Sequence, residues 1–320
     1  MKIAAAYIHA IPGDITANLN QTLALLQQLK KEEAGFVLFP ELSLTGYSTA
    51  KQDIDLALSQ KEAVMHQLSE FSKKSNFSFA VGYPQRTNEQ LYIAHYLFTE
   101  GKIAGIHQKS HLGPNEKKTF SEGDELSVFQ TGPLKIGMQL CFETHFPEIS
   151  YAQARQGANL LAMAFASPNE TGAEKSERFK RYLCARAYDN ACYVMACNLS
   201  GTTARGAHLP GLAMIIDPKG KVLAETHSAG SGYCVADFST DALNGIYQSK
   251  MAWFNHFKRD QFLNSACKKN PNTALCLSSK WSFTRVNSYF SDFASLVFEH
   301  FLSSTQNREL FLQAQEKIYD

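Results

Sequence analysis

The sequence lacks the features of several large protein classes. Its 320 residues carry a formal charge of only +1, and no basic stripe with interleaved aromatic residues indicates binding to nucleic acid. No uncharged apolar run is long enough for a membrane-spanning helix. The apolar start of the chain is broken at His9 and Pro12, which argues against a signal peptide. We therefore expect a soluble, cytoplasmic protein that binds neither nucleic acid nor membrane.

Paired cysteines are missing as well. The seven cysteines are irregularly spaced and form no Cys-x-x-Cys motif, which argues against a zinc ribbon or a thioredoxin-type site. An odd number of cysteines in a cytoplasmic chain predicts free thiols. The Gly-x-Ser-x-Gly motif of a serine nucleophile is also absent, which disfavours a serine hydrolase.

Short apolar segments alternating with helical patterns are what the sequence does contain. Hydrophobic residues make up 44% and charged residues 19% of the chain, as in globular proteins. Strands are predicted near residues 2–9, 36–39, 79–83, 135–141, 159–164, 193–198 and 213–217. Helices are predicted over 15–29, 64–71, 147–156 and 175–190. A hairpin pairs 91–98 with 103–108, so the pattern predicts a mixed α/β domain with helices on its outer faces.

The composition changes after about residue 245. Phenylalanine and valine recur at spacings of three and four from Phe283 to Phe301, which predicts an amphipathic helix. This helix either covers its own domain, the slightly favoured interpretation, or contributes to a dimer contact. We accordingly predict a main domain over 1–263 and a mainly helical C-terminal extension over 264–320.

Three predicted strand ends carry polar residues that a core would not select. Glu41, Lys109 and Cys141 each follow an apolar run, and strand ends in α/β proteins often carry functional sites. Taken singly, each has an ordinary explanation: Glu41 as a cap of the following turn, Lys109 as a solvated lysine, and Cys141 as a small buried residue.

The segments around these residues resemble the three signature blocks of the nitrilase superfamily, in the family's order. The blocks are FPELSLTGY (39–47), KSHLGP (109–114) and CFETHFPE (141–148), with further similarity at 186–190, Asn198 and 215–220. The resemblance covers about residues 1–263, and three ordered blocks are a specific signal. It implies a four-layer α-β-β-α sandwich, followed here by the helical extension, and a homodimer or higher homo-oligomer.

The resemblance also implies a catalytic set of Glu41, Lys109 and Cys141. Glu116 is the natural candidate for the second glutamate of the family, with Glu122 and Glu125 as weaker ones. Glu143 matches an acidic position two residues after the nucleophile and is interpreted as supporting. A structural ion pair is about as good an explanation for it.

The chemistry of these residue types agrees with the resemblance. A free thiol has a pKa of about 8.5, so attack on an amide needs a base such as Glu41. Lys109 would supply positive charge to the oxyanion, and the backbone N–H of Phe142 a second donor. Neither a metal nor another cofactor is required. A dyad of Cys141 with His111 or His145 is a weaker alternative.

We expect a carbon–nitrogen hydrolase acting on a small amide or an N-carbamoyl compound, with water as the second substrate. An acyltransferase, a nitrile-cleaving enzyme and a silent binding protein remain alternatives. Specificity is expected from loops near the site, at Phe120, Thr144, His145 and Ala166. Residues 167–172 form either a flexible rim or an ordinary polar loop, and Lys175, Arg178 and Arg181 either bind an anion or are solvated.

Overall fold

A computed structural model describes residues 1–75, 77–249 and 251–259. The predicted extension 264–320 and its amphipathic helix lie outside these residues, so the domain boundary at 263 stays a prediction. One compact unit spans Met1–Phe257. Within the described ranges, no helix combines the length and the apolar character of a membrane span.

Two six-stranded sheets form the centre of this unit, with strands numbered in chain order. The first sheet consists of β1 (Lys2–Tyr7), β3 (Ala34–Leu38), β4 (Ser78–Thr87), β5 (Gln90–Thr99), β6 (Lys102–Gln108) and β15 (Gly232–Asp237), in the order β15-β1-β3-β4-β5-β6. The second consists of β7 (Val128–Thr131), β8 (Leu134–Leu140), β9 (Leu160–Phe165), β10 (Tyr193–Asn198), β13 (Gly211–Ile216) and β14 (Val222–Ser228), in the order β14-β13-β10-β9-β8-β7. A small sheet joins β2 (His9–Ala10), β11 (Ser200–Thr202) and β12 (His208–Leu209).

Five α-helices are described beside these sheets, within the ranges given above. They are α1 (Ile15–Lys31), α2 (Lys51–Ser75), α3 (Pro147–Arg155), α4 (Gly172–Asn190) and α5 (Thr240–Tyr247). Asp14 begins α1 by accepting a hydrogen bond from the backbone N–H of Ala17, as an N-cap does. Thr171 and Glu174 form a capping box at the start of α4.

Because side chains along each strand point alternately to the two faces of its sheet, the apolar residues form three separate core layers, one between the sheets and one on the outer face of each sheet. The layer between the two sheets takes alternate residues of both, among them Ile3, Ala5, Phe36, Leu38, Ile136, Met138, Leu160, Ala162 and Met195. The other face of the first sheet packs on α1 and α2 through residues such as Val37, Phe79, Leu26 and Leu68. The other face of the second sheet packs on α4 through residues such as Leu161, Met163, Phe179 and Leu183. This arrangement confirms the four-layer α-β-β-α sandwich.

The sequence patterns located most of these elements. The hairpin predicted over 91–98 and 103–108 is present as β5 and β6. The helix predicted at 64–71 is only the second part of α2, which already begins at Lys51. Its first part was not recognised because charged and polar residues surround the few buried apolar ones, Ile54 and Ala57.

The topology brings three strand ends to one region. Since β3, β4 and β6 run in the same direction within the first sheet, Glu41 and Lys109 follow strands that end at the same edge. Cys141 directly follows β8 of the second sheet. The two sheets face each other, so residues leaving both can meet at this edge.

Candidate active site

Glu41, Lys109 and Glu116 form a buried ion cluster. The Nζ of Lys109 donates to Glu41 Oε1 at 2.7 Å and to Glu116 Oε1 at 2.8 Å. The side chains of Glu41 and Lys109 are 0% and 1% exposed. Together with Cys141 they line a single cavity of about 490 Å³. The structure therefore brings together the four residues predicted as catalytic.

Glu116 is held by more than its ion pair. Its Oε1 also accepts a hydrogen bond from the hydroxyl of Tyr47 at 2.8 Å, and its Oε2 accepts one from the backbone N–H of Gly113 at 2.7 Å. The weaker candidate Glu122 instead pairs with Lys117 at the surface, and Glu125 lies outside the cavity lining. Of the three candidate glutamates, Glu116 is the one that meets Lys109.

Cys141 begins a sharp turn at the end of β8. Its backbone φ is +41°, a left-handed conformation that costs a non-glycine residue of the order of 1–3 kcal/mol. A short 3₁₀ helix, Cys141–His145, follows at once, and the Thr144 hydroxyl donates to the carbonyl of Cys141 at 2.7 Å. The turn places Cys141 at the wall of the cavity.

Glu143 is not among the residues that line the cavity, and it connects the two strand ends. Its carboxylate accepts hydrogen bonds from the backbone N–H of Leu140 at 2.5 Å and of Ser110 at 2.7 Å. The Ser110 hydroxyl donates at 2.5 Å, and Nε2 of His107 lies 2.9 Å away. Leu140 precedes Cys141 and Ser110 follows Lys109, so one buried carboxylate fixes the backbone beside both. These contacts fit both interpretations of Glu143 given by the sequence, a supporting residue and a structural pairing, here with His107.

Burial sets the acid–base properties of the cluster. It raises the pKa of Glu41 to about 7, because the loss of hydration outweighs the stabilising charge of Lys109, and Glu116 adds repulsion. Burial and the neighbouring Glu41 raise the pKa of Cys141 to about 12, against the opposing effect of Lys109. Burial lowers the pKa of Lys109, but the two carboxylates and Cys141 raise it by more, so that its pKa is raised overall. The resting site therefore holds a protonated thiol, a charged ammonium and a carboxyl that titrates near neutrality.

The sequence of the chain matches a known family over most of this unit. The match, to the family described as carbon-nitrogen hydrolase, covers residues 2–246. The chain belongs to the carbon–nitrogen hydrolase family. The resemblance to the nitrilase superfamily and the expected enzyme class, a carbon–nitrogen hydrolase of the amidase type, are confirmed by this match together with the amidases among the relatives.

Relatives of this carbon–nitrogen hydrolase include several amidases. The 2-oxoglutaramate amidase of Bacillus subtilis is 31% identical over 217 residues, which cover 67% of this chain and 81% of the relative. The N-carbamoylputrescine amidase of Arabidopsis thaliana is 28% identical over 260 residues, covering 75% and 87%.

Solved structures of an amidase from Nesterenkonia sp. AN1 share the fold. One, a cysteine-to-alanine variant ascribed to the nitrilase superfamily, has a TM-score of 0.72 at 22% identity and covers 83% of this chain and 97% of its own. A glutamate-to-leucine variant has a TM-score of 0.68 at 25% identity and covers 76% and 93%. Its active-site cysteine carries the acetamide moiety of fluoroacetamide.

The residues predicted to bind substrate in this hydrolase fall into two groups. Ala166 lines the cavity, as does Phe142, the predicted oxyanion donor. Phe120 is instead buried in the layer between the sheets. Thr144 is buried against the backbone of Cys141, and His145 stacks on Tyr182 with ring centroids 5.1 Å apart. The structure thus places these three side chains outside the cavity lining.

The predicted rim at 167–172 is tied to α4. Lys175, which is fully buried, donates to the Ser167 hydroxyl at 2.9 Å and pairs with Glu170 at 2.5 Å. Arg178 also pairs with Glu170, at 2.8 Å. Asn198 accepts from the backbone N–H of Ser167 at 2.8 Å. The cations Lys175 and Arg178 are therefore already paired with a carboxylate of this rim.

Two further loops of the cavity were missed by sequence reasoning. One comprises Ser48, Thr49 and Ala50 and is continued by Asp53 in the first turn of α2, and the other comprises Thr203, Ala204, Arg205 and Ala207. No sequence pattern connected the segment around Arg205 to the site. Among the described residues, no group of three or more His, Cys, Asp or Glu side chains is arranged to hold a metal ion.

Proposed function

We propose that this hydrolase cleaves the C–N bond of small amides through a thioester on Cys141. The observation that carries the proposal is the buried contact of Lys109 with Glu41, 2.7 Å long, in the cavity that Cys141 also lines. N-carbamoyl compounds present the same carbonyl beside nitrogen and are the second substrate class, as the name of one relative suggests.

The first half-reaction would form the thioester. Glu41 takes the thiol proton of Cys141 while sulfur attacks the carbonyl carbon. The negative charge that develops on oxygen is stabilised by Lys109 Nζ and by the backbone N–H of Phe142. Glu41 then returns the proton to the nitrogen, the C–N bond breaks, and ammonia or an amine leaves.

The second half-reaction would use water. Glu41 removes a proton from a water molecule as its oxygen attacks the thioester carbon. The C–S bond then breaks, the acid is released, and sulfur regains the proton from Glu41. A carboxyl whose pKa is about 7 can accept and return a proton at neutral pH. Glu116 would keep Lys109 in place through their 2.8 Å contact.

The test is ammonia release from a panel of amides, N-carbamoyl compounds and nitriles. Cys141→Ala should abolish release, whereas Cys184→Ala, which removes a half-buried thiol outside the cavity lining, should leave it unchanged. Fluoroacetamide should label Cys141, and peptide mapping by mass spectrometry would locate the label. Ammonia release by Cys141→Ala would refute the proposal. Amide formation with an added amine, in place of acid, would favour an acyltransferase.

The cytoplasmic location and the homodimer expected from the sequence are part of this proposal. Light scattering coupled to gel filtration would test the homodimer, and a mass equal to that of one chain would contradict it.

A further inference from the structure

Five charged side chains line the cavity, and four of them have partners. Lys109 pairs with both Glu41 and Glu116, and Asp53 accepts a hydrogen bond from Ser48 at 2.5 Å. The fifth, Arg205, has no hydrogen bond or ion pair with any residue of the described chain. It is exposed to solvent at the cavity mouth. A cation in this position remains available for an anion.

Backbone hydrogen bonds hold Arg205 in a fixed turn between β11 and β12. The N–H of Thr203 donates to the carbonyl of Ala207, and the N–H of Gly206 donates to the carbonyl of Thr203, both at 2.9 Å. Gly206 has a φ of +82°, which glycine adopts without strain. The N–H of Ala204 donates to the carbonyl of Tyr47 at 2.9 Å.

This last bond connects the turn to the ion cluster, because the hydroxyl of Tyr47 donates to Glu116. The backbone that carries Arg205 is therefore positioned relative to the proposed reaction centre. A positively charged side chain on a fixed turn can discriminate between substrates.

The wall of the cavity is mainly apolar and suits a hydrocarbon chain. Its apolar members include Ala50, Pro114, Phe142, Ala166 and Pro168. A cavity of about 490 Å³ is in the range of small-molecule sites. A linear substrate with its carbonyl at Cys141 would extend along this wall toward solvent. A guanidinium matches a carboxylate with two parallel hydrogen bonds.

We infer that Arg205 is a specificity-determining residue that binds a carboxylate at the end of the substrate remote from the scissile bond. The preferred substrates are then linear amides or N-carbamoyl compounds with an anionic far end. The inference rests on the proposed function, because it requires the reacting carbonyl to lie at Cys141.

The test compares three amides of similar length in the wild-type enzyme. Glutaramate ends in a carboxylate, valeramide in a methyl group and δ-aminovaleramide in an ammonium. We expect kcat/KM to be about tenfold higher for glutaramate than for valeramide, the size of one charge-assisted contact near the surface, and lowest for δ-aminovaleramide.

Variants then assign the preference to Arg205. Arg205→Gln should lose the tenfold preference, mainly through a higher KM for glutaramate. Arg205→Glu should reverse the order of glutaramate and δ-aminovaleramide. Arg181→Gln, which removes an exposed arginine on α4 outside the cavity lining, is the matched control and should keep the wild-type order.

The outcomes separate this inference from the function on which it rests. Equal kcat/KM values for the three amides in the wild type, or an unchanged preference in Arg205→Gln, would overturn the role of Arg205 and leave the amidase proposal intact. Failure of all three amides to release ammonia, together with no fluoroacetamide label on Cys141, would overturn both.

Discussion

Nε2 of His107 lies 2.9 Å from the carboxylate of Glu143, and both side chains are buried. The pKa of Glu143 is lowered: burial acts against ionisation, but His107 and the donors of Ser110 outweigh it. An ionised carboxylate only accepts hydrogen bonds, so Nε2 of His107 carries the hydrogen of this contact. The carboxylate is thereby directed at the two backbone segments that hold Lys109 and Cys141.

We therefore expect Glu143→Gln to impair catalysis, although Glu143 does not line the cavity. The amide keeps the shape but places an NH₂ group against donors, which leaves at least one buried donor unsatisfied. We expect kcat to fall about tenfold or more with KM little changed, and stability to fall by about 1–3 kcal/mol. Steady-state kinetics and urea unfolding measure both. Glu122→Gln at the surface is the control, and an unaltered kcat in Glu143→Gln would exclude the positioning role.

The acid limb of the pH–rate profile should report Glu41. As a general base Glu41 must be ionised, and its pKa of about 7 predicts that kcat/KM rises with pH up to about 7 and then levels. An exposed glutamate would place this limb near pH 4.5. The measurement is kcat/KM for a neutral amide across the pH range. An acid limb near pH 4.5 would contradict the prediction that the rate depends on ionisation of the buried Glu41.

The raised pKa of Glu41 also predicts how the unfolding free energy depends on pH. Between an ordinary pKa of 4.5 and the folded value of about 7, the folded state binds more protons at Glu41 than the unfolded state does. The contribution of Glu41 to the unfolding free energy is then fully present below pH 4.5 and is lost as pH rises toward 7. Glu41→Gln should lack this slope, so the difference in unfolding free energy between wild type and variant should change between pH 4.5 and 7. Parallel pH–stability curves for the two proteins would contradict it.

The left-handed backbone of Cys141 predicts that glycine is more stable there than alanine. Alanine keeps the strain of φ +41°, whereas glycine adopts this conformation freely and loses more entropy on folding. The strain is the larger effect, so Cys141→Gly should exceed Cys141→Ala by about 1 kcal/mol in unfolding free energy. Both variants should be inactive. Urea denaturation compares them, and a more stable alanine variant would disprove strain at this turn.

Gly82 of β4 permits the close approach of the segment that carries Glu41. A Cβ at this position would lie 2.1 Å from the backbone nitrogen of Leu42 and 2.8 Å from the carbonyl oxygen of Pro40. Gly82→Ala must displace that backbone, at a cost of about 1–3 kcal/mol, and should reduce kcat because Glu41 moves. Gly245→Ala in α5, where a Cβ meets nothing within 4 Å, is the control and should be neutral or stabilising. Wild-type turnover by Gly82→Ala would contradict the prediction.

The sequence patterns identified the site residues that stand directly at the ends of predicted strands. Apolar runs ending in a polar residue located Glu41, Lys109 and Cys141, and the resemblance to known blocks pointed to Glu116. Periodicity does not say which way a side chain points after the strand ends. Thr144 lies within the tight turn after Cys141 and is directed at its backbone, which no spacing rule indicates.

Contacts between distant segments were equally beyond reach. Phe120 follows the segment of Glu116, but the N–H of Ser121 donates to the carbonyl of Leu91 at 2.7 Å, and Phe120 is buried in the layer between the sheets. The turn of Arg205 is joined to the site by a hydrogen bond to the carbonyl of Tyr47, a residue far from it in sequence. Such contacts depend on how the sheets and loops assemble, so the local sequence does not predict them.

The carboxylate of Glu143 joins a strand end of one sheet to a strand end of the other. Lys109 and Cys141 therefore belong to opposite halves of the sandwich, and the reaction requires both halves in register. Turnover thus measures how well the two halves are aligned. A substitution that shifts one sheet relative to the other should therefore reduce turnover even where each sheet stays intact.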